Sequence, residues 1–340
     1  MTEPARERGG RRWPPLGDLL ADLQVVSIPL RVRFRGVTHR ESALIRGPAG
    51  WGEFDPFLEY GPREAARWLA AAVEAAWTGW PAPVRDAVPV NATVPAVAPG
   101  QVAGVLARFP GATTVKVKVA EAGQALGADL DRVAAVRDVL GAGALVRVDA
   151  NGGWSVDDAV RAIGALAAYR LEYVEQPCPT VADLAALRRA LARTGVDVPV
   201  AADESIRRAE DPVAVARAAA ADLVVVKVAP LGGVRRALQV VADCGLPAVV
   251  SSSLDTSVGL RAGIALAAAL PHLPYACGLG TAALSAGDVV ADPLVPRDGA
   301  VAVRALAVEG SLLARWAAAP ARQAWWRRRV VDAYAELAGR

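Results

Sequence analysis

The sequence predicts an α/β barrel with a separate α+β piece, and three observations predict it. Short β-branched runs begin at residues 90, 114, 145, 172, 198, 223, 247 and 275, so one arrives every 24 to 31 residues. Between them lie Ala/Leu/Arg-rich stretches of helical character, the alternation that repeated strand–helix units produce. The residues before about 88 have another texture, alternating short runs broken by Gly and Pro.

In chain order, "LQVVSIPLRVRFRGVTHRESALIRGPAGWGEFDPF" from Leu23 reads as two or three alternating strands joined by Gly/Pro turns. "PREAARWLAAAVEAAW" from Pro62 then reads as an amphipathic helix. The barrel strands follow as "VNATV", "TVKVKV", "LVRVDA", "EYVEQ", "VPVAAD", "LVVVKV", "PAVVSSS" and "YACGLG". A typical connecting helix is "ALGADLDRVAAVRDVLG", where Leu130, Val133, Val136 and Leu140 recur at helical spacing and Gly141 stops the run. An open doubly wound sheet also alternates strand and helix. Eight strands, and no glycine-rich dinucleotide turn after the first, favour the barrel. After residue 290 a turn-rich stretch leads to the Trp-rich helix "RQAWWRRRVVDAYAEL". The expected division is 1–19 basic tail and lead-in helix, 20–87 α+β cap, 88–290 barrel and 291–340 a segment returning to the cap.

Composition excludes several classes. Hydrophobic residues reach 54%, yet the longest apolar stretch, from Ala262, is broken by Pro271, His272 and Pro274, so no membrane insertion is expected. The basic opening has no apolar region after it, which argues against a secretory signal. Lys and Arg number 38 against 35 Asp and Glu, a net +3 with no basic stripe, so nucleic acid is not an expected partner. Cys178, Cys244 and Cys277 form no CxxC and fit a reducing cytoplasm. With only His39 and His272 present, acid–base chemistry falls to lysines and carboxylates. The oligomeric state, monomer or homo-oligomer, is not legible; Trp325 and Trp326 read as exposed and suited to a cap or subunit contact.

The informative feature is charge inside strands. In "TVKVKVA" strand parity puts Lys116 and Lys118 on one face and Val115, Val117 and Val119 on the other. The valines suit the helix side, so both lysines point into the barrel, with Lys118 nearer the C-terminal mouth where barrel enzymes hold their active sites. Asp149 and Asn151 end the next strand, then Glu175, then Asp203 followed by Glu204, and Lys227 comes late in the sixth. Three gathered carboxylates repel one another unless a proton or hard cation bridges them, and such oxygen ligands suit Mg²⁺, with Mn²⁺ possible. An interior lysine near other cations can serve as a base, and a metal can neutralise charge formed when the carbon beside a substrate carboxylate loses its proton. Taken singly, an interior lysine reads as an ion-pair partner and "ADES" as a helix cap. Five charges at five successive strand ends carry the reading.

These motifs resemble the enolase superfamily, in its muconate-lactonizing-enzyme-like branch: "KVK", Asp149 in "VDAN", Glu175 in "VEQP", Asp203 in "ADES" and Lys227 in "VVVKVAPLGG". The resemblance spans most of the chain. It implies a modified (β/α)₇β barrel under an α+β cap, Lys118 and Lys227 as catalytic lysines, and Asp149, Glu175 and Asp203 as metal ligands. The cap stretch from Arg31 and "SSSLDTSVGL" resemble the actinobacterial o-succinylbenzoate synthase group within that branch. That likeness implies dehydration of a small cyclohexadiene carboxylate in menaquinone biosynthesis, with Lys116, Asn151, Ser251, Ser252, Ser253 and Gly278 around the substrate. Segments 35–40 and 53–57 of the cap are expected to close over the site and exclude water, with His39 reading equally as an ordinary loop residue. The alternatives are an N-succinylamino acid racemase or dipeptide epimerase using the same lysines, and a non-catalytic ligand-binding barrel.

Overall fold

The computed structural model describes residues 13–34, 36–207 and 211–339. Most of the expected basic tail, residues 1–12, lies outside the described residues, as does Arg35. Helix α1 (Leu16–Ala21) leads into a three-stranded antiparallel sheet of β1 (Gln24–Phe34), β2 (Val37–Gly47) and β3 (Gly50–Phe54). Helix α2 (Pro62–Val73) starts with Pro62 at its first position, where the missing N–H costs nothing, and packs on β3. The contact requires glycine: a Cβ on Gly52 would lie 2.0 Å from the Ala72 carbonyl oxygen.

β4 (Ala87–Pro89) comes next, and then the barrel strands. These are β5 (Ala92–Val94), β6 (Thr114–Lys118), β7 (Leu145–Asp149), β8 (Leu171–Glu175), β9 (Val200–Ala202), β10 (Leu223–Val226) and β11 (Ala248–Val250). All pair in parallel with their sequence neighbours. The expected eighth strand is reduced to Cys277 and Gly278, each in a parallel bridge, to Val90 on one side and Ser251 on the other. These bridges close the sheet. Gly278 permits the approach, since a Cβ there would lie 2.5 Å from Ser251 Oγ.

The helices between strands are α3 (Val102–Leu106), α4 (Leu126–Leu140), α5 (Val156–Leu166), α6 (Val181–Thr194), α7 (Glu204–Arg207), α8 (Ala214–Arg217), α9 (Val228–Leu231), α10 (Val234–Cys244) and α11 (Ser257–Ala269). Side-chain caps begin several of them: Ser155 Oγ and Thr180 Oγ1 each accept from the backbone N–H three residues on, at 3.1 Å. Outward valines of the strands, such as Val115, Val117, Val146 and Val148, pack with these helices in the largest core. A smaller inner core of Tyr173, Ala201, Leu223, Val225 and Val249 fills the barrel floor. The three cysteines are buried and free.

The C-terminal segment divides. β12 (Ala300–Ala302) pairs antiparallel with β4, and after α12 (Gly310–Arg315) the long α13 (Pro320–Ala338) returns onto α2 and the cap. Trp326 is fully buried there, 5.9 Å from Phe54 in an edge-to-face pair, and donates to Glu41 Oε2 at 2.8 Å. The expectation of an exposed Trp326 is therefore corrected, because the cap core claims its ring and Glu41 its N–H. No helix among the described residues is long and apolar enough to cross a membrane.

Candidate active site

The two faces of β6 separate as alternation dictates. Val115 and Val117 enter the outer core, while Lys116 and Lys118 point inward and are buried. Below them Arg147 closes the floor, donating to the Tyr173 hydroxyl at 2.9 Å and to the Ala276 carbonyl at 2.8 Å. Above the floor, Lys116 Nζ donates to Glu175 at 3.0 and 3.1 Å and lies 3.3 Å from Asp149. Lys118 Nζ donates to Asp149 Oδ2 at 2.5 Å and to Asn151 Oδ1 at 2.8 Å. Lys227 Nζ donates to Asp203 Oδ2, and Arg207 Nε stands 3.3 Å from Asp203 Oδ1.

A cavity of about 240 Å³ opens at the C-terminal ends of the strands. Lys116, Lys118, Asp149, Asn151, Lys227, Ser251, Ser252, Ser253 and Gly278 all line it, so most of the residues expected from sequence meet there. Glu175 and Asp203 do not; they lie behind Lys116 and Lys227. Asn151 adopts φ 47°, a left-handed conformation that asparagine tolerates, and donates to Glu204 Oε1 at 3.3 Å. Ser252 Oγ donates to the Gly278 carbonyl at 2.7 Å, tying the seventh strand end to the eighth.

Sequence reasoning missed part of the wall. Phe34 and Tyr60 reach in from the cap, with the Phe34 ring 5.4 Å from Lys118 Nζ, and Phe57, the end of the expected closing segment 53–57, also lines the cavity. Thr93, Glu204, Arg207 and Thr281 also line it. Arg207 carried a usable signal, for it stands four residues after Asp203 at the start of a helix, where such pairs face each other. Gln176 was also overlooked: its Oε1 accepts from the Asp203 N–H at 2.9 Å and holds that strand end. Of the expected closing loops, 37–40 is strand β2. His39 is exposed, and buried Arg40 pairs with Asp55 at 2.5 Å under the Phe57 ring instead of facing the cavity.

The electrostatics follow from burial. Burial pushes Glu175 up, Asp149 pushes it further, and Lys116 only partly offsets them, leaving it at about 7. Burial also works against Asp149, but Lys118 and Lys116 outweigh it and hold this carboxyl well below the usual range. For Asp203, burial is outweighed by Lys227 and Arg207. Lys116 is buried too, yet Glu175 and Asp149 hold its proton more firmly than water would.

Among the described residues no three carboxylate, imidazole or thiol groups stand together around one point; ammonium groups bridge the acids instead. The donor chemistry nonetheless fits a hard divalent cation. Three carboxylates end neighbouring strands, Asp203 Oδ1 is buried with no hydrogen-bond donor, and Glu175 keeps its proton toward neutrality because burial and the Asp149 charge oppose its ionisation.

Residues 102–307 match the family "Enolase C-terminal domain-like" and residues 25–76 match "Enolase N-terminal domain-like". The chain is 60% identical to an o-succinylbenzoate synthase of Thermobifida fusca, over 91% of this chain and 95% of the relative. It is 59% identical to one of Mycolicibacterium smegmatis, over 95% and 98% of the two chains. Among solved structures, a muconate lactonizing enzyme of Pseudomonas fluorescens superposes with a TM-score of 0.75 at 23% identity, covering 87% of this chain and 98% of the other. An L-Ala-D/L-Glu epimerase of Bacillus subtilis superposes at 0.70 and 23%, covering 84% and 96%. At that identity the two structures speak for the fold.

Proposed function

The chain belongs to the enolase superfamily, whose members use a divalent metal, and on that premise we propose that it is an o-succinylbenzoate synthase. The reaction is loss of water from 2-succinyl-6-hydroxy-2,4-cyclohexadiene-1-carboxylate to give o-succinylbenzoate in menaquinone biosynthesis, by a cytoplasmic carbon–oxygen lyase. The observation that carries it is the pair Lys118 and Lys227, from strand ends with three strands between them in the sheet, lining one cavity with Asp149 between them in strand order. The near-full-length likeness to two synthases supports the choice within the superfamily.

Lys118 Nζ takes the proton from the ring carbon bearing the carboxylate, then returns it to the hydroxyl leaving the adjacent carbon. One C–H and one C–O bond break, one C=C bond forms, water departs and the ring becomes aromatic. Lys227 sets a positive charge against the charge developing on the carboxylate. Asp149, Glu175 and Asp203 would hold a divalent cation, Mg²⁺ or else Mn²⁺, which when bound supplies Lewis-acid stabilisation of that carboxylate. Lys116 supports Glu175 and Asp149 from below. Asn151, Ser251, Ser252, Ser253 and Gly278 offer polar contacts to the succinyl tail, and Phe34, Phe57 and Tyr60 exclude water from above.

The test is an ultraviolet assay of aromatisation with the cyclohexadiene substrate, with and without EDTA. Turnover that EDTA abolishes and Mg²⁺ restores is the expected result; no aromatisation by the metal-loaded protein sinks the reading.

A further inference from the structure

A second cavity, of about 370 Å³, lies between the segment after α2, helix α11 and the stretch following β12. It shares no lining residue with the lysine cavity. Pro81, Ile264 and Val303 make much of its wall apolar. At one place it is not. The Arg261 guanidinium stacks over the Trp80 ring, 4.9 Å from the centroid, and among the described residues it has no carboxylate or hydrogen-bond acceptor. Arg304, on the same wall, differs: Asp292 holds it at 2.9 Å. The burial of Arg261 disfavours its charge, and no acid compensates. A permanent cation on an otherwise apolar wall, with no acid of its own, is what an anion-binding pocket presents before its ligand arrives.

We propose that this cavity binds a small organic carboxylate with a flat aromatic or alicyclic body. The carboxylate pairs with Arg261 where it stacks on Trp80, while the ring rests on Pro81, Ile264 and Val303. The site does not depend on the reaction assigned to the lysine cavity.

Benzoate is the probe. Titrated into protein labelled with ¹⁵N-tryptophan, it is expected to move the indole N–H resonance of Trp80, whose ring lines the cavity under Arg261 and which is identified by its loss in Trp80→Phe, to saturation. Arg261→Gln is expected to weaken benzoate at least tenfold, Arg261→Lys to recover part of that loss, and neutral benzamide to bind at least tenfold more weakly than benzoate. Lys118→Ala should leave the benzoate response of Trp80 intact, and Arg261→Gln should leave turnover intact. The other tryptophan resonances report that each variant is folded. An unmoved Trp80 resonance, equal affinity in Arg261→Gln, equal affinity for benzamide, or loss of the response in Lys118→Ala would overturn the proposal.

Discussion

Lys116 and Lys118 sit two residues apart on one strand, and their surroundings divide their work. Lys116 is clasped by Glu175 and Asp149, whereas Lys118 shares Asp149 but also reaches Asn151 and the Phe34 ring at the cavity. Removing Lys116 leaves Glu175 buried with its nearest cation gone, so Lys116→Ala is expected to cost about 3–5 kcal/mol in urea unfolding. Lys118→Ala leaves Asp149 with Lys116 and should cost under about 2 kcal/mol, while kcat falls by about 10²–10⁴-fold, the range for losing a general acid–base. An inactive but stable Lys118→Ala beside an unstable Lys116→Ala separates base from support; the reverse order of stability contradicts the division. Lys227 is assigned a charge and no proton transfer, so Lys227→Arg should retain measurable aromatisation that Lys227→Met loses. Equal loss in both would favour the two-base chemistry of a racemase.

At the level of elements, the cap is fastened to the barrel by acids placed on helix N-termini. Glu53, in β3, accepts from the N–H groups of Thr256 at 3.1 Å and Gly259 at 2.8 Å, capping α11 from another layer. Glu74, just after α2, does the same for α10 through Arg235 N at 3.2 Å. Beside Glu53 stands half-buried Asp255, raised to about 6 first by burial and then by the Glu53 charge. A carboxyl raised in the folded state contributes stability below its ordinary value near 3.8 and loses it as pH rises through about 6. Asp255→Asn should therefore gain on the wild type by about 2 kcal/mol between pH 4 and 7, the full linkage value reduced for partial exposure. Urea unfolding at the two pH values checks it, and a constant difference contradicts it. On the other side, α13 governs the cavity wall: Arg329 donates to the carbonyls of Phe57 at 2.6 Å and Tyr60 at 2.7 Å. Arg329→Ala should free that loop and raise KM severalfold with a smaller change in kcat. Why these contributors escaped the sequence is physical. Strand parity assigns a direction to Lys118 or Asp149 from neighbours alone, but Tyr60 stands in a loop with no period, and its aim is set by a helix about 270 residues away.

For the whole molecule, the barrel rhythm was legible because every outward position of the strands had to meet a helix, which leaves the inward charges conspicuous. The eighth strand was legible only as "YACGLG", since two bridges and a close glycine contact, not a β-branched run, close the sheet. Less legible was how the charges settle: strand ends predicted acids converging on a cation, and the structure pairs them with Lys116, Lys118, Lys227 and Arg207. That balance makes a prediction about metal. Glu175 is raised to about 7 because burial and Asp149 oppose its charge, so below that pH a proton competes with a cation, and above it the carboxylate is free of that competition. Mg²⁺ at a hundredfold over its dissociation constant should then stabilise the protein by about 2.7 kcal/mol, if it binds only the folded chain. At a fixed Mg²⁺ concentration the gain should be larger at pH 8 than at pH 5.5. Urea unfolding with Mg²⁺ and with EDTA at both values measures it, and Glu175→Gln, which has no proton to lose there, should flatten the difference. A metal effect that is equal at the two pH values, or unchanged in Glu175→Gln, would place the cation away from these three strand ends.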